Sequence, residues 1–221
     1  MVVAGPALSP AAHRPWTPAH PGRYAPAVHP DLASTLADSR SATTRWLALV
    51  EPLSSEQANW RPAPDRWSIA QVLDHLAATT GPLAPALLEA GVKARAAGRV
   101  SDGPFRYGPL SRWFLRSLAP AGARPLPAPK LYRPSASALD LAETTRRFLE
   151  AQRAFESAAE SAEGLDLARV RVASPALRLF RLPLGVWCLS TAAHTLRHLA
   201  QAERVRADSR FPEDRRDRGQ A

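Results

Sequence analysis

Proline sets where this chain cannot form regular structure. Seven of the first thirty residues are proline, and a second proline-rich stretch runs from Pro120 to Pro134. Proline lacks the N–H that helix interiors and central strands need, and it pushes the preceding residue out of the helical region. Residues 1–30 therefore read as a flexible or loosely docked tail, and His13, His20 and His29, each beside or near a proline, read as solvated residues of it.

The segments that remain carry apolar residues at helical spacing. A first helix is expected from near Pro30 or Asp31 to about Pro52, with Leu32, Leu36, Trp46, Leu49 and Val50 toward a core. A second begins at Ser68, which with Gln71 three residues on forms a capping-box signature. Its apolar stripe is Ile69, Val72, Leu76, Leu83 and Leu87, with His75 at the edge, and Pro82 and Pro85 are expected to kink or break it. The stretch "PLSRWFLRSL" suits one short amphipathic helix. A third long helix is expected over Ala136–Glu163, with Phe148 and Phe155 inward, and a last one over Leu184–Asp208. Between these two, "GLDLARVRVASP" alternates like a strand but is too short to propose a sheet. The fold class is thus all-α, a four-helix bundle over residues 31–208 with a long Pro/Arg-rich connection between helices two and three and a charged tail over 209–221.

At 221 residues and 45% hydrophobic, the chain suits one domain with a real core. No apolar run of membrane-spanning length occurs, and the N-terminus lacks a charged start followed by an apolar stretch, so neither a transmembrane helix nor a secretory signal is expected. The single cysteine, Cys188, excludes an internal disulfide and fits a reducing cytoplasm. The net charge of +9 is concentrated: residues 92–134 hold nine lysines and arginines against Asp102 alone. Phe105, Tyr107, Trp113, Phe114 and Tyr132 are interleaved with them. Such a segment suits nucleic acid, an anionic membrane surface or an acidic ligand; equally, it suits a solvated connection whose aromatics pack onto the domain. No helix-turn-helix or zinc-finger spacing supports DNA binding, so a nucleic-acid partner is not expected.

The last helix carries the residues with most chemical content. At about 100° per residue, Trp187, Thr191, His194, His198, Gln201 and Val205 share one inward face. Histidines four apart can aim their rings at one point, as in H-E-x-x-H zinc helices. Thr195 follows His194 where that motif needs its glutamate, which excludes zincin-type proteolysis. Cys188 lies about 120° from His194 and makes a poor co-ligand. Outside the tail the only other histidine is His75. Packing of the second helix on the last would bring all three together, and three imidazoles with an open fourth position are a catalytic type of zinc coordination. The other reading, hydrogen-bonded core histidines, stays open at this point.

"NWRPAPDRWSIAQVLDHLAATT" and "AAHTLRHLAQAERVR" together resemble the DinB-like superfamily, which includes YfiT-like metal-dependent hydrolases and thiol transferases. Trp67, Ser68, Ile69, Gln71, Val72, Leu73, His75 and Leu76 match the first half of its pattern, and His194, His198, Leu199 and Gln201 the second. The resemblance implies a four-helix bundle, usually a homodimer. It further implies a divalent metal (zinc, nickel or iron) held by His75, His194 and His198. Gln201 would then orient a ligand ring or bound water, its alternative being an ordinary buried amide. The long basic connection departs from compact members; it could cap the site, alter the dimer or bind an acidic substrate.

The expectation that follows is a metal-dependent enzyme, activating water or a low-molecular-weight thiol against a small electrophilic substrate. No carboxylate sits on the histidine face, so no general base is named. The alternative is a non-catalytic, stress-related binding module whose metal is structural or absent.

Overall fold

The computed structural model describes residues 29–118 and 128–213. The flexible or loosely docked tail expected over 1–30 lies outside them except for His29 and Pro30, as does the charged C-terminal tail beyond residue 213.

Helix α1 spans Pro30–Val50. Its cap is His29, whose Nδ1 accepts the Asp31 N–H at 3.1 Å, with Pro30 in the first turn, where its missing N–H costs nothing. The His29 ring also lies 4.5 Å from Phe105, and the His29 backbone N–H donates to the Glu163 carboxylate. The solvated-tail reading of His29 is therefore corrected: an imidazole nitrogen can cap a helix as an Asn oxygen does. A short helix, α2 (Ser55–Asn59), follows, closed by a capping box between Ser54 and Gln57.

Helix α3 runs Ile69–Ala96, and the Ser68–Gln71 capping box starts it as expected. It continues through Pro82 and Pro85, so the expected break does not occur. Each proline costs about 3 kcal/mol in a helix interior. Burial of Leu83, Ala84 and Leu87 against the core offsets that cost. Helix α4 is Pro109–Leu118, and a 3-10 turn covers Lys130–Tyr132.

Helix α5 spans Leu141–Glu160, later than expected, because Asp140 caps it by accepting the Glu143 N–H at 2.7 Å. The residues ahead of it form a strap tied down by side chains of α2 and α3. Asp74 accepts from the Ser135 N–H, Gln71 donates to the Ala136 carbonyl, and the Asn59 amide bonds both backbone groups of Leu139. Irregular backbone can lie against a core only when its polar groups are satisfied in this way.

Strands β1 (Arg171–Ala173) and β2 (Arg181–Pro183) pair antiparallel, with Val172 opposite Leu182. The alternating stretch thus does form a small sheet, because the chain returns on itself within seven residues. Helix α6 follows at once, Leu184–Arg206.

The four long helices pack as two pairs, α3 with α5 and α1 with α6; α1 also meets α5 and α3 meets α6. Two apolar clusters fill the interior. One gathers Leu36, Leu87, Phe155, Leu167 and Leu184, the other Trp46, Leu73, Phe148 and Leu199. On α6 His194 and His198 fall between the residues of the two clusters, and on α3 His75 lies among those of the second. Among the described residues no helix is long and apolar enough to cross a membrane.

Gly185 admits the Tyr107 hydroxyl, which donates to Asp31 at 2.8 Å. A Cβ there would stand 2.1 Å from that oxygen and 3.0 Å from Leu167 Cβ. Gly185→Ala is accordingly expected to destabilise by about 1–3 kcal/mol through overpacking. Urea titration measures it, and an unchanged midpoint would show that Tyr107 moves aside freely.

Candidate metal centre

Helices α3 and α6 bring His75, His194 and His198 together, with one ligand atom from each lying within 4.8 Å of the others. His194 Nε2 stands 3.0 Å from His198 Nε2 and 3.4 Å from His75 Nε2. Tetrahedral ligands on a zinc ion with bonds of 2.0–2.1 Å are about 3.3 Å apart.

The outer ring nitrogens fix the tautomers. His75 Nδ1 is 2.6 Å from the Tyr132 carbonyl, and His198 Nδ1 is 2.9 Å from Gln201 Oε1. Both partners are oxygens that only accept, so each Nδ1 carries the proton and each Nε2 keeps its lone pair. His194 Nε2 then faces two lone pairs and has at most one proton to offer. A cation among the three nitrogens removes that conflict, and the donor set fits a divalent metal. No other histidine, cysteine or carboxylate joins the group among the described residues.

Burial keeps the rings neutral. It lowers the pKa of His75, with the Tyr132 carbonyl and Asp74 opposing. It takes His194 well down, reinforced by the neighbouring His198, His75 and Arg197, and it takes His198 to about 3, with His75 reinforcing and Gln201 opposing. Unfolded histidine titrates near 6.5. Between that value and about 3 the unfolded chain takes up a proton that folded His198 refuses, so stability is present above pH 6.5 and lost as pH falls. The metal-free protein should lose about 1.4 kcal/mol per pH unit for each such histidine. Urea midpoints between pH 7 and 5 test this, and a flat profile would contradict it.

The group lines a cleft of about 890 Å³. Its walls combine Leu83, Phe114, Phe180 and Trp187 with Arg66, Arg197, Arg204 and Arg210. The Trp67 ring lies 5.0 Å from His75 and stacks 6.4 Å from His198.

A family model described as the DinB superfamily matches residues 39–202, from within α1 to near the end of α6. The chain belongs to the DinB superfamily. No curated protein and no solved structure matches it.

In this DinB protein the three histidines singled out in the sequence converge, and Gln201 meets His198. Cys188 stands apart, buried in the apolar cluster with its thiol pushed up to about 12. The basic connection does reach the site. Phe114, Ser117 and Tyr132 line the cleft, and Arg197 donates to the Ser117 carbonyl at 2.9 Å. Sequence reasoning missed the Tyr132 carbonyl, because a main-chain acceptor leaves no mark on residue type. Asp74, next to His75, turns away from the cleft to Ser135 and Arg147.

Proposed function

We propose that this DinB protein is a metal-dependent enzyme whose His75, His194 and His198 hold one zinc, nickel or iron ion through Nε2, within a four-helix bundle. The observation that carries the reading is a set of three neutral, converging imidazoles in the wall of a cleft sized for a small molecule. Structural zinc sites are closed by four protein ligands, whereas three with an open position are the catalytic arrangement. A divalent ion so held lowers the pKa of a bound water or thiol and polarises a substrate carbonyl.

The chain's own groups supply the rest. The Tyr132 carbonyl and Gln201 hold two rings in their ligating tautomer, and Trp67 covers two of them. Arg204, exposed at the cleft, suits a carboxylate on substrate or thiol, while Phe114, Phe180 and Trp187 suit an apolar portion. The cleft's carboxylates are Asp65 and Asp208, and Arg210 engages Asp208 through two nitrogens at 3.0 and 2.9 Å. With no carboxylate on the histidine wall among the described residues, the ion itself would have to ionise the nucleophile, whether water or a low-molecular-weight thiol. A homodimer in a reducing cytoplasm completes the proposal, and light scattering measures the first part.

Metal analysis of the purified protein, followed by a screen of several low-molecular-weight thiols against a generic electrophile, tests it. Thiol transfer that chelation abolishes and metal restores is the expected result. Stoichiometric metal with no turnover of any thiol or of water would favour the binding-module alternative instead. Gln201→Ala is expected to weaken metal binding by about 10–100-fold, as loss of a hydrogen bond to a ligand ring does. Competition with a chromogenic chelator reads that change, and an unaltered affinity would make Gln201 an ordinary buried amide.

A further inference from the structure

Among the described residues nine large hydrophobic side chains are exposed, and five of them lie on three segments that border one cleft. Leu110 and Trp113 belong to α4, Leu131 to the 3-10 turn, and Leu177 and Leu179 to the tip of the β1–β2 hairpin. These segments touch one another. The Phe114 ring lies 5.7 Å from Phe180, and Tyr132 and Ala176 line the same cleft. Leu179 is 99% exposed, a level at which a leucine contributes nothing to the fold of the isolated chain.

The same segments, 105–118, 128–139 and 171–183, contain eight lysines and arginines and no carboxylate. All eight are exposed: Arg106, Arg112, Arg116, Lys130, Arg133, Arg171, Arg178 and Arg181. Other exposed arginines of this protein, such as Arg40, Arg45 and Arg146, are in ion pairs with glutamates. These three segments offer no carboxylate of their own to offset them.

We propose that this face docks on an anionic lipid surface, with Leu131, Leu177, Leu179 and Trp113 entering the interfacial layer and the cations meeting headgroup phosphates. Apolar tips set among lysines and arginines are the composition that binds such surfaces, and tryptophan favours that depth. A second copy of the chain is disfavoured because a two-fold contact would set this patch against itself, eight cations facing eight. Nucleic acid would satisfy the charges yet leave the exposed leucines without an apolar partner and offer only Trp113 for base stacking. Since the docking segments also line the cleft, the metal centre would work beside the bilayer.

Flotation of the full chain with vesicles tests the proposal, using phosphatidylcholine alone or with about one-third phosphatidylglycerol. Binding at least about tenfold stronger to the anionic vesicles is expected, weakening with salt. Leu177→Ser with Leu179→Ser, and separately Arg112→Glu with Arg178→Glu, should each lose about tenfold while keeping the wild-type circular dichroism and melting temperature. Brominated acyl chains should quench fluorescence in the wild type and not in Trp113→Phe. Equal binding to both vesicle types, wild-type binding by the leucine variant, or displacement from vesicles by duplex DNA would each overturn the proposal.

Discussion

Protein carrying His194→Ala is expected to leave purification without stoichiometric metal, its affinity lower by on the order of 10³-fold. His194 is the ring common to both close approaches, 3.0 Å to His198 and 3.4 Å to His75. Its loss leaves two imidazoles on different helices, too few to hold a zinc ion tightly. The metal-free fold should survive, because the ring is only part-buried and its Nε2 faces two lone pairs with at most one proton to share between them. His29→Ala is the control: it disturbs the start of α1, a helix that contributes no residue to the cleft lining, and should leave metal content unchanged. Elemental analysis of the three proteins decides the matter. Wild-type metal content in His194→Ala would end the three-histidine reading.

Asp74→Ala should be the most damaging change next to the site that touches no ligand atom. The carboxylate is 1% exposed; one oxygen accepts the Ser135 N–H at 2.7 Å and the other meets Arg147 at 2.9 Å. Arg147 is partly exposed and can turn to water, but the Ser135 N–H would lose its partner beside the core. A loss of about 2–4 kcal/mol is expected, with Asp74→Asn retaining part of it as an acceptor. Metal affinity should fall in step, because the strap freed at Ser135 also carries the Tyr132 carbonyl that orients His75. Denaturation and metal titration on the same samples separate the two effects. Full stability in Asp74→Ala would mean that the strap is held by Gln71 and Asn59 alone.

Much of this was legible in the chain. Ser68 and Gln71 mark the start of α3 because a capping box is local chemistry, and the spacing of His194 and His198 puts them on one face by helix arithmetic alone. Two starts went unread although their signals were present: Ser54 with Gln57 ahead of α2, and Asp140 with Glu143 ahead of α5. Of the two outcomes expected at Pro82 and Pro85, a kink or a break, the break does not occur, because burial of Leu83 and Leu87 holds the helix together there. The hairpin was hidden for a similar reason. Neither three-residue strand is a signal alone, and their pairing depends on the intervening loop closing. The cleft's covering by the basic connection depends on contacts such as Arg197 to the Ser117 carbonyl, which join residues eighty positions apart.

The hydrogen bond from His75 to the carbonyl of Tyr132 has an evolutionary consequence. Every amino acid offers a carbonyl, so selection for this bond cannot be exercised through the identity of residue 132. It acts instead on the side chains that fasten the neighbouring backbone: Asp74, Gln71 and Asn59. For this bond alone, position 132 is free to drift in relatives that keep it, and the constraint falls on these anchors. The signature of a tuned metal ligand would then be written in residues that never face the cleft.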